Sequence, residues 1–128
     1  MKVEIQNLEL SSSDKHRVQF SSALGNACAY WQGIPPQLGE TYHVELSVGT
    51  PLNWGVDILQ TTESTYQLKQ EGDGVGMIAK LETYEEEGLA FLRLGGSILM
   101  IETLGNPAPI GTFVEAHIRE LILSDTGI

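Results

Sequence analysis

Apolar and polar residues alternate with a period of two in many short runs of this chain, and this pattern restricts its fold most strongly. In the clearest run, residues 42–48, an apolar side chain stands at every second position, with His43, Glu45 and Ser47 between. Successive side chains of a strand point to opposite faces of a sheet, so this run predicts a β-strand with one buried face. Turns rich in glycine and proline separate such runs along the chain.

Eight or more short strands at this spacing predict a closed barrel or a sandwich. No long helical pattern lies between them, which argues against a parallel α/β sheet. The 128 residues have the usual length of one domain, no linker divides them, and 41% are hydrophobic. We therefore expect a mainly β single domain over residues 1–128, an antiparallel β-barrel or sandwich with at most one or two short helices.

The alternation changes phase near the start of the chain. Val3 and Ile5 follow one phase, whereas Leu8 and Leu10 follow the other. One extra residue in a strand produces such a shift, so we expect a β-bulge near Gln6–Asn7.

Residues 112–123 fit two structures. The apolar side chains of Val114 and Ile118 alternate in one phase and Leu121 follows the other, which a strand with a bulge near Arg119–Glu120 would explain. The same spacing also fits a helix, and several of these residues have good helix propensity. We favour the strand because the neighbouring segments are short β-runs.

A Gly-Gly pair, Gly95–Gly96, separates two apolar segments and predicts a hairpin. The second segment contains four consecutive apolar residues, Ile98 to Ile101. An uninterrupted apolar run is typical of a strand that is buried on both faces.

Three segments of the C-terminal part follow one another in a suggestive order. A long strand opens with Gly74-Val75-Gly76, a meander runs through Gly95–Gly96, and the chain returns through residues 109–114. In this order, residues 74–123 resemble a small OB-type barrel. OB barrels bind oligonucleotides, oligosaccharides or other proteins. Since a shared fold does not carry function with it, the resemblance implies the barrel shape alone.

The chain is strongly acidic, with 17 Asp and Glu against 7 Lys and Arg and a formal net charge of −10. Proteins that bind nucleic acids or anionic membranes rely on clustered cations. We therefore expect neither nucleic acid nor membrane as a partner. The charge is compatible with a basic protein partner, which long-range attraction would steer towards this surface. The alternative is that the acidity serves solubility alone, as in many acidic proteins.

A single cysteine, Cys28, excludes an intramolecular disulfide. Residues 1–6 lack the apolar stretch of a signal peptide, and no apolar run approaches the length of a membrane span. These features predict a cytoplasmic protein. No cation near Cys28 in the sequence would activate it as a nucleophile, so we expect a small buried thiol.

The acidic residues concentrate in two predicted turns, residues 71–73 and 82–87. Charges in turns are normally solvated and therefore accessible to a partner. We predict a protein-binding surface that consists of Asp73, Glu82, Glu85, Glu86 and Glu87.

Two short motifs place a histidine and a carboxylate two residues apart, His43-Val44-Glu45 and Glu115-Ala116-His117. On a strand, each pair would share one face. If the two strands were neighbours, the four side chains could bind a divalent transition metal. The alternative is that both pairs lie on ordinary solvated strand faces. The hypothetical metal site is His43, Glu45, Glu115 and His117.

No motif in the chain specifies a reaction. The cluster Gly72-Asp73-Gly74-Val75-Gly76 lacks the Lys-Ser/Thr of a phosphate-binding loop and predicts a hairpin turn. We expect a non-enzymatic binding protein without a cofactor; one concrete form is a bacterial immunity protein that docks a basic toxin. The alternatives are a small metal- or ligand-binding barrel, in one form enzymatic, that uses the four residues above, and a structural subunit of a homo-oligomer.

Overall fold

The computed structural model describes residues 1–13 and 15–127, and these residues are mainly β, with 63% in strands and 2% in helix. One turn of 3-10 helix, Glu86–Gly88, interrupts the strands that these residues form. In chain order the strands are β1 (Lys2–Glu9), β2 (Lys15–Ser22), β3 (Gly25–Gln32), β4 (Thr41–Val48), β5 (Leu52–Asn53), β6 (Ile58–Gln60), β7 (Gln67–Glu71), β8 (Gly74–Glu85), β9 (Leu89–Leu94), β10 (Ser97–Leu104), β11 (Phe113–Ile118) and β12 (Leu121–Asp125).

The strands form one closed barrel and one sheet that is nearly closed, which confirms the predicted mainly β, barrel-like fold. The barrel has the order β1-β2-β3-β12-β4, and β4 pairs with β1. The second sheet has the order β5-β10-β9-β8-β11-β6, and β7 pairs with β8 outside this path. Its two end strands, β5 and β6, follow each other in the chain, and a bridge joins Trp54 to Ile58 between them.

Each sheet is completed by strands that come directly after the strands of the other sheet in the sequence. Strands β4-β1-β2-β3 and strands β11-β8-β9-β10 are both in Greek-key order. After β4, the chain enters the second sheet as β5 and β6; after β11, it enters the barrel as β12. We call residues 2–48 the N-terminal half and residues 74–118 the C-terminal half. The two halves therefore exchange their closing strands.

The sequence analysis predicted antiparallel sheets, but the sheets also contain parallel pairs. The exchange of closing strands explains these parallel pairs. Strand β12 pairs with β3 in parallel, and β5 pairs with β10 in parallel. Parallel neighbours need a long connection between them. The connection from β3 to β12 contains the whole C-terminal half, and the connection from β5 to β10 contains β6 to β9.

The predicted bulge in β1 is confirmed. The register of β1 against β2 shifts between Ile5 and Asn7, so Gln6 is the additional residue. The shift keeps Val3 and Ile5 buried while Leu8, in the opposite phase, packs against the core from the same strand.

Residues 112–123 contain two strands, so the preference for a strand over a helix is confirmed. The predicted bulge at Arg119–Glu120 is wrong, because this pair is where the chain leaves one sheet for the other. Ile118 faces the core from β11, and Leu121 faces it from β12. The segment that resembles an OB barrel is thus divided: residues 74–118 stay together, and β12 belongs to the N-terminal barrel.

The run Ile98–Ile101 is not buried on both faces, and that prediction is wrong. Leu99 and Ile101 are buried, but Ile98 and Met100 are 44% and 58% exposed. The run is an ordinary strand whose outer face happens to be apolar.

The turn between β2 and β3 joins the N-terminal half to β7. The backbone N–H of Leu68 donates to the carbonyl of Leu24 at 3.0 Å. Gly25 has a φ of +140°, and a Cβ at this position would overlap the carbonyl oxygen of Leu68. Only glycine allows the two backbones to approach this closely.

Gly25→Ala is therefore expected to destabilise the protein more than an alanine at an equally unusual but open backbone position. Gly33, with a φ of +102° and no heavy atom of the described residues within 4 Å of its missing Cβ, provides the control. Gly33→Ala should lower the free energy of unfolding by about 1–2 kcal/mol. Gly25→Ala should cost about 1–3 kcal/mol more, because of the overlap. Urea unfolding measures both; equal losses would contradict the close approach.

The turn between β5 and β6 depends on one carboxylate. The backbone N–H and the side-chain amide of Asn53 donate to Oδ2 of Asp57 at 2.8 and 3.0 Å. These two hydrogen bonds hold the pKa of Asp57 below its ordinary value of 3.8.

A carboxyl group with a lowered pKa in the folded state stabilises the protein above its unfolded-state pKa and loses that contribution as the pH falls through the folded-state pKa. Asp57→Asn should therefore reduce the free energy of unfolding at neutral pH. The difference from the wild type should shrink as the pH falls below about 4. Urea unfolding at a series of pH values measures it, and a difference that is independent of pH would contradict the role of the charge.

Candidate functional site

The turn between β8 and β9 carries three successive glutamates, Glu85, Glu86 and Glu87. All three are exposed, and none belongs to an ion pair between described residues. Glu87 has a φ of 75°, and no other non-glycine residue in the described ranges has a positive φ. This conformation costs roughly 1–2 kcal/mol, so other contacts must hold the turn in place.

A buried hydrogen-bond chain lies beneath this turn. The hydroxyl of Thr103, which is 3% exposed, donates to the carbonyl of Gly88 at 2.7 Å. The same hydroxyl accepts a hydrogen bond of 2.9 Å from the indole N–H of Trp54. A Cβ at Gly88 would also overlap the Thr103 carbonyl, so turn and strand are packed closely together. The carboxylates thus stand on a fixed backbone.

Exposed apolar side chains lie beside the acidic turn, on the outer face of β9 and β10. Met100 lies opposite Phe91 in the sheet register, and Glu102 lies opposite Leu89. Met100 is 58% exposed and Leu104 is 59% exposed. The outward positions of β10 are Ile98, Met100, Glu102 and Leu104.

These side chains form one surface, which we call the acidic face. A groove of about 260 Å³ lies between the turn and the end of β10, and no Lys, Arg or His lines it. The unpaired negative charges lie around this groove, beside an apolar stripe. The acidic face consists of Glu85, Glu86, Glu87 and Glu102 with Leu89, Phe91, Met100 and Leu104.

Two residues of the predicted protein-binding surface do not contribute a free, nearby charge to this face. Glu82 accepts a hydrogen bond of 2.8 Å from Nε of Arg93, so its charge is already paired. Asp73 precedes β8, whereas Glu85 ends it; at about 3.3 Å per residue the two are up to roughly 40 Å apart. Asp73 instead lines a cleft with Arg17 and Arg119.

The structure does not bring the four hypothetical metal ligands together. His43 and Glu45 lie on β4 of the barrel, whereas Glu115 and His117 lie on β11 of the other sheet. No group of three or more His, Cys, Asp and Glu within the described ranges is arranged to hold a metal ion. Nδ1 of His117 faces Oε1 of Glu71 at 2.9 Å instead. The two short motifs therefore lie on strands of different sheets.

Sequence reasoning missed Glu102 and the two residues that support the turn, Trp54 and Thr103. Glu102 could have been found, because the alternation of β10 places it on the same face as Met100 and Leu104. Trp54 and Thr103 are 49 residues apart. No local pattern relates them. Cys28 is half-buried rather than buried, and its backbone N–H donates to Oε1 of Gln70 at 2.7 Å.

No family model, curated protein or solved structure matches this chain. Across the residues that the structure describes, none of the helical structure has the length and apolarity that a membrane-spanning helix requires. The acidic face must therefore be interpreted from its own geometry and charge.

Thr103→Val keeps the shape of the side chain but removes the hydroxyl beneath the acidic turn. The Gly88 carbonyl and the Trp54 indole N–H then lose their partner, and the free energy of unfolding should fall by about 1–3 kcal/mol. Thr83→Val, at an exposed position of β8, is the matched control and should change it by less than about 0.5 kcal/mol. Urea unfolding compares the two, and equal small effects would contradict the hydrogen-bond chain.

Proposed function

We propose that this protein is a cytoplasmic, non-enzymatic binding protein whose acidic face docks a basic protein. One observation carries the proposal: four exposed carboxylates that pair with no cation of the described residues surround a groove beside an exposed apolar stripe. Lys and Arg side chains of a partner would supply the missing counter-charges.

The acidic face combines apolar side chains, unpaired charges and an ordered turn, which are common features of protein–protein interfaces. Apolar and aromatic side chains, here Phe91, Met100 and Leu104, supply the area that is desolvated on binding. The carboxylates around them increase the association rate and select for a cationic partner. The hydrogen-bonded turn is already ordered, so little conformational entropy is lost on docking.

The charge also distinguishes a basic partner from a second copy of this chain. Among the described residues, Ser97 to Glu102 of β10 pair with β9 alone. In a homo-oligomer the apolar stripe of this strand would meet the same stripe of a second copy. That arrangement would bring two sets of four carboxylates towards each other, and like charges at an interface are unfavourable. The charge therefore favours a hetero-complex over the homo-oligomer.

An immunity protein that neutralises a cationic toxin is one concrete form of this function. Such a protein needs no catalytic group of its own, and a net charge of −10 suits capture of a nuclease whose surface is basic. The acidic face would then cover cationic residues that the toxin uses to bind its nucleic acid.

The test compares two immobilised variants with the wild type in a lysate of the cells that produce the protein, at low and at high salt. The first carries Glu85→Gln, Glu86→Gln, Glu87→Gln and Glu102→Gln. The control carries Glu4→Gln, Glu9→Gln, Glu40→Gln and Glu63→Gln, four exposed carboxylates outside the acidic face. Because both variants have the same net charge, they separate the effect of the face from that of bulk acidity.

We expect a basic protein to be retained by the wild type and by the control but not by the first variant. With the purified partner, the first variant should lose about tenfold or more in affinity. Equal retention by both variants, or the absence of any basic protein on the wild type at low salt, would refute the proposal.

A further inference from the structure

A second polar site lies where the two halves meet, away from the acidic face. A cleft of about 790 Å³ is lined by Arg17 and Tyr30 of the barrel and by His117 and Arg119 at the end of β11, together with the turn Gly72–Gly74. Clefts of this size hold small organic ligands in many proteins. None of its lining residues belongs to the groove of the acidic face.

The arginines of this cleft are unusual for so acidic a chain. The chain has three arginines, and the third, Arg93, is paired with Glu82. Arg17 and Arg119 belong to no ion pair between described residues. The guanidinium of Arg17 instead lies over the ring of Tyr30, 5.3 Å from its centroid. Both arginines therefore keep hydrogen-bond donors for a ligand in the cleft.

Neither of the two carboxylates that also line the cleft forms an ion pair with these arginines among the described residues. Oε1 of Glu71 lies 2.9 Å from Nδ1 of His117, and Oε2 of Glu71 lies 3.8 Å from Nζ of Lys69. Asp73 is exposed in the turn between β7 and β8, and it belongs to none of the ion pairs between described residues. The cleft thus has a cationic side formed by the two arginines.

Glycines of β8 make room for the Glu71–His117 pair. A Cβ at Gly76 would overlap the Glu71 carboxylate, and a Cβ at Gly74 would lie about 3.0 Å from the His117 ring. The glycines thus allow the Glu71 carboxylate and the His117 ring to pack against β8, where both residues line the cleft. This gives the glycine cluster around Gly72–Gly76 a role beyond that of a hairpin turn.

We propose that this cleft binds a small organic oxyanion, a phosphate or a carboxylate group, through Arg17 and Arg119. The planar guanidinium presents paired N–H donors that match the oxygens of both groups, and these charge-assisted hydrogen bonds are stronger than neutral ones. Tyr30, already stacked on Arg17, offers an aromatic surface to the remainder of the ligand.

The test is a titration of isotopically labelled protein, followed by NMR, with inorganic phosphate and separately with succinate at constant ionic strength. The amides of Gly72, Asp73 and Gly74 report on the cleft. We expect saturable shifts with at least one of the two probes, and the probe that binds more tightly identifies the preferred group.

Two variants show whether the arginines hold the anion. Arg119→Gln, at an exposed position, and the double variant Arg17→Gln/Arg119→Gln should weaken binding by about tenfold for each arginine removed. Arg93→Gln removes the same charge elsewhere and should bind as the wild type does; thermal melts check that each variant is folded.

Shifts that stay linear or spread over the whole protein with both probes would overturn the proposal. An Arg119→Gln variant that binds as tightly as the wild type would also overturn it. Because the cleft shares no lining residue with the groove of the acidic face, loss of anion binding here leaves the docking of a basic protein unaffected.

Discussion

The exchange of closing strands between the two halves is the constraint on which the rest of the structure depends. Strand β12 fills the gap between β3 and β4, where Leu121 lies opposite Val48 and Leu123 lies opposite Leu46. Without β12 the barrel would have two open edges, at β3 and β4. Without β5 and β6 the second sheet would have open edges at β10 and β11. Neither half can satisfy its backbone hydrogen bonds alone, so both must fold together.

Both candidate sites lie where the exchange connects the halves. Trp54, which supports the acidic turn through Thr103, belongs to the segment that crosses from β4 into the second sheet. Arg119 lies in the two-residue connection by which β11 continues into β12. The same connections that complete the sheets thus support the acidic turn of one site and position Arg119 of the other.

Much of the fold could be predicted from the sequence because alternation is a local signal. It located β4 and the bulge at Gln6, and it favoured strands over a helix in residues 112–123. The strand exchange could not be predicted, since a change of phase at Arg119–Glu120 looks the same whether the strand bulges or enters another sheet. The acidic turn was visible as Glu85 to Glu87, but Met100 beside it was assigned to a strand buried on both faces.

The metal hypothesis and the position of Asp73 also show that a local pattern does not predict which strands are neighbours in space. Residues two apart on one strand share a face, and that much is local; whether β4 and β11 are neighbours depends on the order of the sheets. Likewise Asp73 and Glu85 lie close in the sequence, but a single strand of twelve residues separates them in space.

Native-state hydrogen exchange tests the interdependence of the two halves most directly. Amides of buried residues in the N-terminal half, such as Ala29 and Leu46, should exchange with the same free energy as those of Leu92 and Leu99 in the C-terminal half. Both free energies should equal that of global unfolding, because neither half persists without the strand that the other contributes. A half that exchanges at a distinctly lower free energy while the other stays protected would contradict the mutual dependence of the two halves.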